Sequence, residues 1–285
     1  MTILPADLGA LVVRKVRASG SSFYWAMRML EEGRRDAMYA IYAFCRDVDD
    51  AVDEEQEEAD KRRRLDAWRA DIEAVYAGRV PSQPLAVALI DPIHAYRLQQ
   101  ADFLGVIEGC EMDLGVGVVR PTMAVLERYC DRVAGAVGRL SVRVFGADGP
   151  SSIELAYHQG LALQLTNILR DVVVDAKIGR LYLPDELLSQ HGIAGTDIDA
   201  ILAHPALPEV CRTLADVARG HYAQARAAMA LFPRRAMRPA RIMLEMYAAI
   251  FRVCEADSWH PRAVPKSLPK VTKLWFAFRY GMVWR

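Results

Sequence analysis

An all-α fold is what this sequence predicts, on three observations. Strand signals are sparse along the whole chain, and the helix formers Ala, Leu, Arg and Glu dominate. Apolar residues recur three and four apart through most of the length, the period of an amphipathic helix. No Gly or Pro interrupts the stretch Arg34 to Glu54. With 285 residues, 53% hydrophobic and 25% charged, the chain can bury a sizeable core and is unlike a disordered one. No repeat of solenoid period and no low-complexity segment divides it. The economical reading is one all-α domain over 1–285, a helical bundle, with a basic-aromatic segment at about 266–285.

Lys plus Arg number 36, as do Asp plus Glu, so overall charge argues against general nucleic-acid binding. The five cysteines, at 45, 110, 130, 211 and 254, form no CxxC and no Cys/His ligand spacing. An odd number of scattered thiols, with no secretory signal pattern at the N-terminus, predicts reduced cysteines and a cytoplasmic location. No run of about eighteen uncharged apolar residues occurs, so no helix is expected to span a membrane.

Taken in order, residues 5–18 predict a short opening helix, broken by Ser19-Gly20-Ser21-Ser22. Ser21 or Ser22 can cap a segment Phe23–Leu30. Arg34 to Glu54 is the stretch around which the chain is organised. Met38, Ile41, Tyr42 and Cys45 recur there at helical spacing, with Ala37, Ala40 and Ala43 permitting close packing. Residues 54–64, EEQEEADKRRR, are a charge run that reads as a solvated turn and helix start. Leu65, Trp68, Ile72 and Val75 continue a helix. Gly78 to Pro84 is a loop, followed by a helix from Leu85 to Gln100 that Pro92 should bend.

Phe103 to Leu114 reads as a helix ending at Gly115-Val-Gly117, with Pro121 beyond. A phosphate-cradling loop would need a preceding strand and a third glycine, and neither is present. Met123 to Phe145 predicts one long helix. Its Ala134, Gly135, Ala136 and Gly138 serve either tight helix packing or room for a long ligand. Pro150 to Lys177 is a further long helix, closed by GRLYLP at 179–184, and Asp185 starts another segment. Residues 192–208, with Gly, Asp and Pro, read as a loop region. Two more helices, Glu209–Leu231 and Ala236–Ala256, flank Pro233.

Two acidic seams carry the chemistry. In the first, the apolar face of 34–54 runs into Asp47, Asp49, Asp50 and Asp53; Asp49 and Asp53 lie four apart, roughly 40° around the axis. Alone, that like-charge pair should cost the helix about 0.2–0.5 kcal/mol. In the second, Asn167, Asp171 and Asp175 follow at i, i+4, i+8 on one stripe, with Gln164 beside it. Leu161, Leu163, Leu165, Ile168, Leu169, Val172, Val173 and Val174 surround them, so that helix is buried on most sides. A buried carboxylate needs a partner charge or a metal. For either seam alone a salt-bridge network with Arg46 or Arg170 explains the acids. Two matched Asp-x-x-x-Asp helices favour a hard cation such as Mg²⁺ shared with a phosphate, Mn²⁺ being the alternative. No His or Cys accompanies them, which argues against zinc or iron.

The motifs DDAVD (49–53) and NILRDVVVD (167–175) resemble the two aspartate-rich motifs of the squalene/phytoene synthase family. SGSSFYWAMRML, YAIYAFCRDVDDAVDE, YCDRVAGAVGRLSVRVFG, LALQLTNILRDVVVD and GRLYLP also look like that family in order and spacing. The resemblance covers nearly the whole chain. SGSSFYW, YCDRVAGAVGRLSVRVFG and PRRAMRPARIM look most like its bacterial presqualene diphosphate branch, of hopanoid biosynthesis. One departure stands out: the family usually has an acidic residue just before the last aspartate, and here it is Val174.

What the resemblance implies is an isoprenoid-synthase fold with a central cavity between the two Asp-rich helices. It further implies head-to-head condensation of two farnesyl diphosphates to presqualene diphosphate. By position, Asp49, Asp53, Asn167, Asp171 and Asp175 are the metal ligands, and Arg46 and Arg170 hold diphosphate. Phe23, Tyr42, Val133, Val137 and Leu163 line the cavity, although each taken alone reads more readily as plain core. Ser22 matches a substrate-binding position. Tyr129, Gln164 and Tyr247 match pocket positions, Tyr129 with a catalytic role. Lys266, Lys270 and Lys273 either close over the second diphosphate or are a solvated tail. The bases and aromatics of 266–285 fit peripheral contact at the inner face of a membrane, or docking on the protein body. NADPH is not expected. Downstream hopanoid-pathway enzymes are the protein partners the resemblance suggests. The alternatives are a phytoene synthase acting on geranylgeranyl diphosphate, an NADPH-dependent squalene synthase, and a non-catalytic helical protein with structural Asp seams.

Overall fold

The computed structural model describes residues 6–18, 23–54, 56–115, 117–262, 264–265, 268–269, 272, 275–276 and 279. Among them every regular element is helical, and the one β-bridge pairs Val119 with Leu181. The chain opens with α1 (Ala6–Ala18), whose Leu8, Val12 and Val16 are buried one turn apart against the third helix. The short α2 (Phe23–Met27) ends before Leu30, where Met29 and Leu30 donate to carbonyls three residues back. The serines expected to cap it lie outside the described residues.

α3 (Glu32–Asp53) is the central helix. It buries Ile41, Phe44 and Val48 fully. Phe44 meets the Trp68 ring edge-on at 5.0 Å and the Phe103 ring at 5.2 Å, so α3 is fixed against α4 (Glu58–Tyr76) and against the helix that carries Phe103. α4 takes up the second half of the charge run.

The helix expected over 85–100 is instead two pieces, α5 (Pro84–Val87) and α6 (Ile90–Tyr96). Pro92 does not bend it: Pro92 sits in the first turn of α6, where no intrahelical acceptor is needed. The first break is at Ala88–Leu89, and a second falls at Arg97, in the left-handed conformation at φ 51°. α7 (Gln100–Glu111) follows.

The single long helix expected over 123–145 is also divided. α8 (Met123–Cys130), capped by Thr122 Oγ1 accepting from Val125 N at 3.3 Å, runs into a π-helical turn at Asp131–Gly135 and then into α9 (Ala136–Phe145). A π turn inserts one residue per turn and re-aims the side chains beyond it. α10 (Pro150–Lys177) spans 28 residues, about 42 Å at 1.5 Å per residue.

After α11 (Asp185–Gln190), the region expected as loop holds α12 (Ile198–Leu202). Its cap is Asp197, which accepts from the backbone N–H groups of Asp199 and Ala200. The bundle finishes with α13 (Leu207–Met229), packed along α10, and α14 (Arg238–Ala256). Close helix contact depends on glycine at two places. A methyl on Gly160 would stand 2.7 Å from Gly135 N, and one on Gly138 2.9 Å from the Ala156 carbonyl. None of the described helices is long and apolar enough to cross a membrane.

Candidate active site

A cavity of about 560 Å³ lies between α3, α7, α8–α9, α10 and α14, within the range of small-molecule sites. On α3 the residues facing it are Met38, Tyr42, Cys45, Arg46 and Asp49, at helical spacing. The helical period sorts the aspartates of the first seam. Asp47 and Asp50 point away, accepting from Lys15 Nζ at 2.6 and 2.9 Å, and Asp47 also accepts from Trp68 Nε1 at 3.0 Å. Asp49 faces the cavity, with Arg46 Nη1 at 3.0 Å. Burial first, and then the neighbouring Asp53, push its carboxyl up to about 6. Asp53 accepts from Arg180 Nη1 at 3.0 Å.

On α10 the cavity side carries Leu163, Gln164, Asn167, Arg170, Asp171 and Asp175. Arg170 Nε donates to Asp171 at 2.8 Å. Asp175 has no such neighbour. Burial, then the like charge of Asp171, raise it to about 7, with Arg180 opposing. Asn167 Nδ2 reaches Gln164 Oε1 at 3.4 Å, but its own Oδ1 is buried without a hydrogen-bond partner. Val174, the departure from the family pattern, is not on the cavity wall.

Three further polar residues complete this end, and none was assigned from the sequence. Asp113, just past α7, accepts from Tyr129 at 2.9 Å and from Tyr182 at 2.7 Å, and Arg180 Nε stands 3.8 Å from it. The two tyrosine rings stack at 4.9 Å. Burial raises the Asp113 carboxyl, with Arg180 opposing, and raises Tyr129 well above its ordinary value. Arg180 and Tyr182 are brought there by the bridge at Val119–Leu181, in which Leu181 N donates to Val118 O at 3.0 Å and Arg120 N to Leu181 O at 2.9 Å. The signal is present in the sequence: the motif GRLYLP contains Arg180 and Tyr182, and Asp113 directly precedes the segment that ends the Phe103–Leu114 helix at Gly115.

The remainder of the cavity is largely apolar, with Ser141 and Gln159 the polar exceptions. Phe23, Tyr42, Val133, Val137, Leu163 and Tyr247 all line it, Phe23 and Tyr42 with ring centroids 6.1 Å apart. Ala134 and Gly138 line it too, so the small-residue patch gives both close packing and room. Ser22, Lys266, Lys270 and Lys273 lie outside the described residues. In the C-terminal segment Phe276 is buried, while Trp275 is half-exposed under the Arg279 guanidinium, 5.1 Å from its ring centre.

Asp49, Asp53, Asp113, Asp171 and Asp175 meet three guanidiniums at this end, those of Arg46, Arg170 and Arg180. Five carboxylates against three arginines leave an excess of two negative charges when all are ionised, which adds to burial in keeping Asp49 and Asp175 hard to ionise. Among the described residues no three acidic, His or Cys side chains are gathered into a closed metal cluster. The donors are oxygen only, and the orphaned Asn167 Oδ1 lies among them. That set fits a hard divalent cation sharing its shell with water and a phosphate, which needs no closed protein cage.

Residues 16–274 match the family described as squalene/phytoene synthase. The chain is 44% identical over 93% of its length to the presqualene diphosphate synthase of Rhodopseudomonas palustris, covering 95% of that protein. It is 48% identical over 92% of its length to the presqualene diphosphate synthase of Zymomonas mobilis, covering 89% of it. Among solved structures it superimposes on a squalene synthase from Alicyclobacillus acidocaldarius with a TM-score of 0.82 at 28% identity, over 90% of this chain and 98% of that one.

Proposed function

The chain belongs to the squalene/phytoene synthase family, which makes it a prenyltransferase of the isoprenoid-synthase fold, and from that premise we propose that it joins two farnesyl diphosphates head to head. The product is presqualene diphosphate, with one diphosphate released, and its place is hopanoid biosynthesis. The names of these two bacterial relatives support the product. One observation carries the reading: a largely apolar cavity closed at one end by carboxylates from two helices, α3 and α10, interleaved with arginines.

Asp49, Asp53, Asn167, Asp171 and Asp175 are the residues that would hold Mg²⁺, with Mn²⁺ as a substitute. Bound there, the ion neutralises charge on the departing diphosphate. Arg46, Arg170 and Arg180 line the same end, where their planar forks can take diphosphate oxygens in pairs. Together these groups favour breaking of the allylic C–O bond of one farnesyl group. The 2,3 double bond of the second substrate attacks the resulting cation, and loss of a proton closes the cyclopropane ring.

Phe23, Tyr42, Val133, Val137 and Leu163 keep water from that cation. Burial holds the Cys45 thiol at about 12 and raises Cys110, so neither cavity thiol is an anion that could trap it. Asp113 accepts from both tyrosines and thereby orients the Tyr129 hydroxyl toward the reacting end. We assign the basic-aromatic segment 266–285 to peripheral contact with the inner face of a membrane, where a product with two long chains can pass to the next hopanoid-pathway enzyme.

Incubation of purified protein with Mg²⁺ and farnesyl diphosphate, with and without NADPH, followed by mass spectrometry, tests the assignment. Presqualene diphosphate is expected in both samples, and chelation should abolish it. Squalene formed only with NADPH would move the protein to the reducing synthases. Turnover of geranylgeranyl diphosphate alone would overturn the substrate.

A further inference from the structure

Outside the cavity, two metal-capable side chains meet where α10 packs on α13. His158 on α10 and His221 on α13 bring their Nδ1 atoms to 2.9 Å, and the ring centres stand 5.1 Å apart. Both are half-buried. The Tyr157 ring closes one side, edge-on to His221 at 6.0 Å. Burial holds both imidazoles below their ordinary pKa, His221 down to about 4, where the neighbouring His158 adds to the effect. The charged group acting on the pair is Glu154, one turn before His158 on the same face of α10, and it opposes the shift there. Both rings are therefore neutral at pH 7, the form in which imidazole ligates metals.

We propose that His158 and His221 form a bidentate site for a transition ion of the Ni²⁺ or Cu²⁺ class, clamping α10 to α13. The bite distance carries the inference. Two nitrogens each about 2.0–2.1 Å from one metal stand ~2.9 Å apart at a right angle, and ~3.3–3.4 Å apart at a tetrahedral angle. The observed 2.9 Å matches cis positions of a square-planar or octahedral ion, not those of tetrahedral zinc.

Without metal the same contact is an N–H···N hydrogen bond, one ring donating from Nδ1 and the other accepting. Binding requires the donor ring to carry its proton on Nε2 instead, so no net proton is released. Water fills the remaining positions. Asn167 is nine positions along α10 from His158, about 13 Å by helical rise. The nitrogen site is thus separate from the oxygen-lined one and selects a softer ion.

The test is titration of the untagged, full-length protein with CuCl₂ or NiCl₂ alone. Cu²⁺ at one equivalent should give an electron paramagnetic resonance spectrum split by two imidazole nitrogens. Ni²⁺ should raise the melting temperature, the folded-to-unfolded ratio growing about 100-fold when the metal is at 100 times its Kd. His158→Gln and His221→Gln should each weaken binding by at least the ~10–100-fold that loss of an outer-shell partner costs. His191→Gln, whose ring bonds Thr213, should bind as the wild type does. Should one variant fail to fold, the other variant and the wild-type spectrum decide. A spectrum with one nitrogen or none, or His158 and His221 variants that bind like the wild type, overturns the proposal.

Discussion

At the scale of the residue, the cavity carboxylates are held at a cost to the fold. Asp175 has an ordinary pKa of 3.8 and sits at about 7. A raised acid in the folded state binds its proton longer than the unfolded chain does. Stability is therefore full below pH 3.8 and falls as pH rises through about 7. The full shift corresponds to roughly 4 kcal/mol, and with solvent reaching part of the group about half of that is expected. Asp175→Asn should accordingly melt higher than the wild type at pH 8 without metal, match it near pH 4, and lose synthase activity. A thermal melt at the two pH values with a product assay decides this, and a variant less stable at pH 8 would contradict it. Asp113→Asn addresses the other end of the cluster. One side-chain oxygen remains to accept from a tyrosine, but the charge opposite Arg180 is gone. Turnover should fall about 100-fold, the low end of what a positioned proton-transfer group contributes, with the circular dichroism spectrum unchanged. An unchanged kcat would remove Asp113 from the machinery.

At the scale of the element, the π turn at Asp131–Gly135 is the feature that shapes the wall. Asp131 Oδ1 accepts from Arg139 Nη1 at 2.6 Å, and Arg139 Nε also donates to the buried Asp102 at 2.6 Å. Val133, Ala134 and Val137 then face the cavity on either side of the turn's end. Gly160 of α10 lets this segment approach, because a methyl there would meet Gly135 backbone atoms at 2.7 and 2.8 Å, which cannot move as a side-chain tip can. Gly160→Ala should destabilise by about 1–3 kcal/mol, the usual cost of overpacking, and raise KM for farnesyl diphosphate. Gly220→Ala on α13 is the control. Nothing lies within 4 Å of a methyl at that exposed site, so it should gain up to about 1 kcal/mol of helix propensity. Chemical denaturation of the two variants gives both values. Equal effects would show that close packing at Gly160 is not what matters. The π turn and the part played by Gly160 were not legible in the sequence, where 123–145 reads as one uninterrupted helix and only its small-residue patch points to close packing. A π turn arises from packing against α7 and α10 and from the Asp102–Arg139–Asp131 network, not from local propensity. The break at Arg97 and the helix α12 escaped for the related reason that short elements depend on a single cap or a left-handed residue.

At the scale of the whole molecule, the all-α class, the long helices and the two aspartate stripes were all legible in the sequence. Helical period is a local property: residues three and four apart share a face whatever surrounds them. The same period puts Asp49 on the cavity side of α3 with Tyr42, Cys45 and Arg46, and Asn167, Asp171 and Asp175 on that side of α10. What the sequence could not determine was the partner of each charge. Asp47 and Asp50 find Lys15 from α1, Asp53 finds Arg180 from the segment after α10, and Asp113 finds Tyr129 and Tyr182. Asp49 shares the Arg46 guanidinium with Asp50, and Asp175 has no ion pair among the described residues. The pairings with Lys15, Arg180, Tyr129 and Tyr182 join residues distant in sequence, and Coulomb energy depends on distance and burial, which only the tertiary structure sets. The sequence by itself thus determined which carboxylates share a face; the bundle, which sets α3 and α10 around one cavity, decided which of them remain available to a cation and a diphosphate.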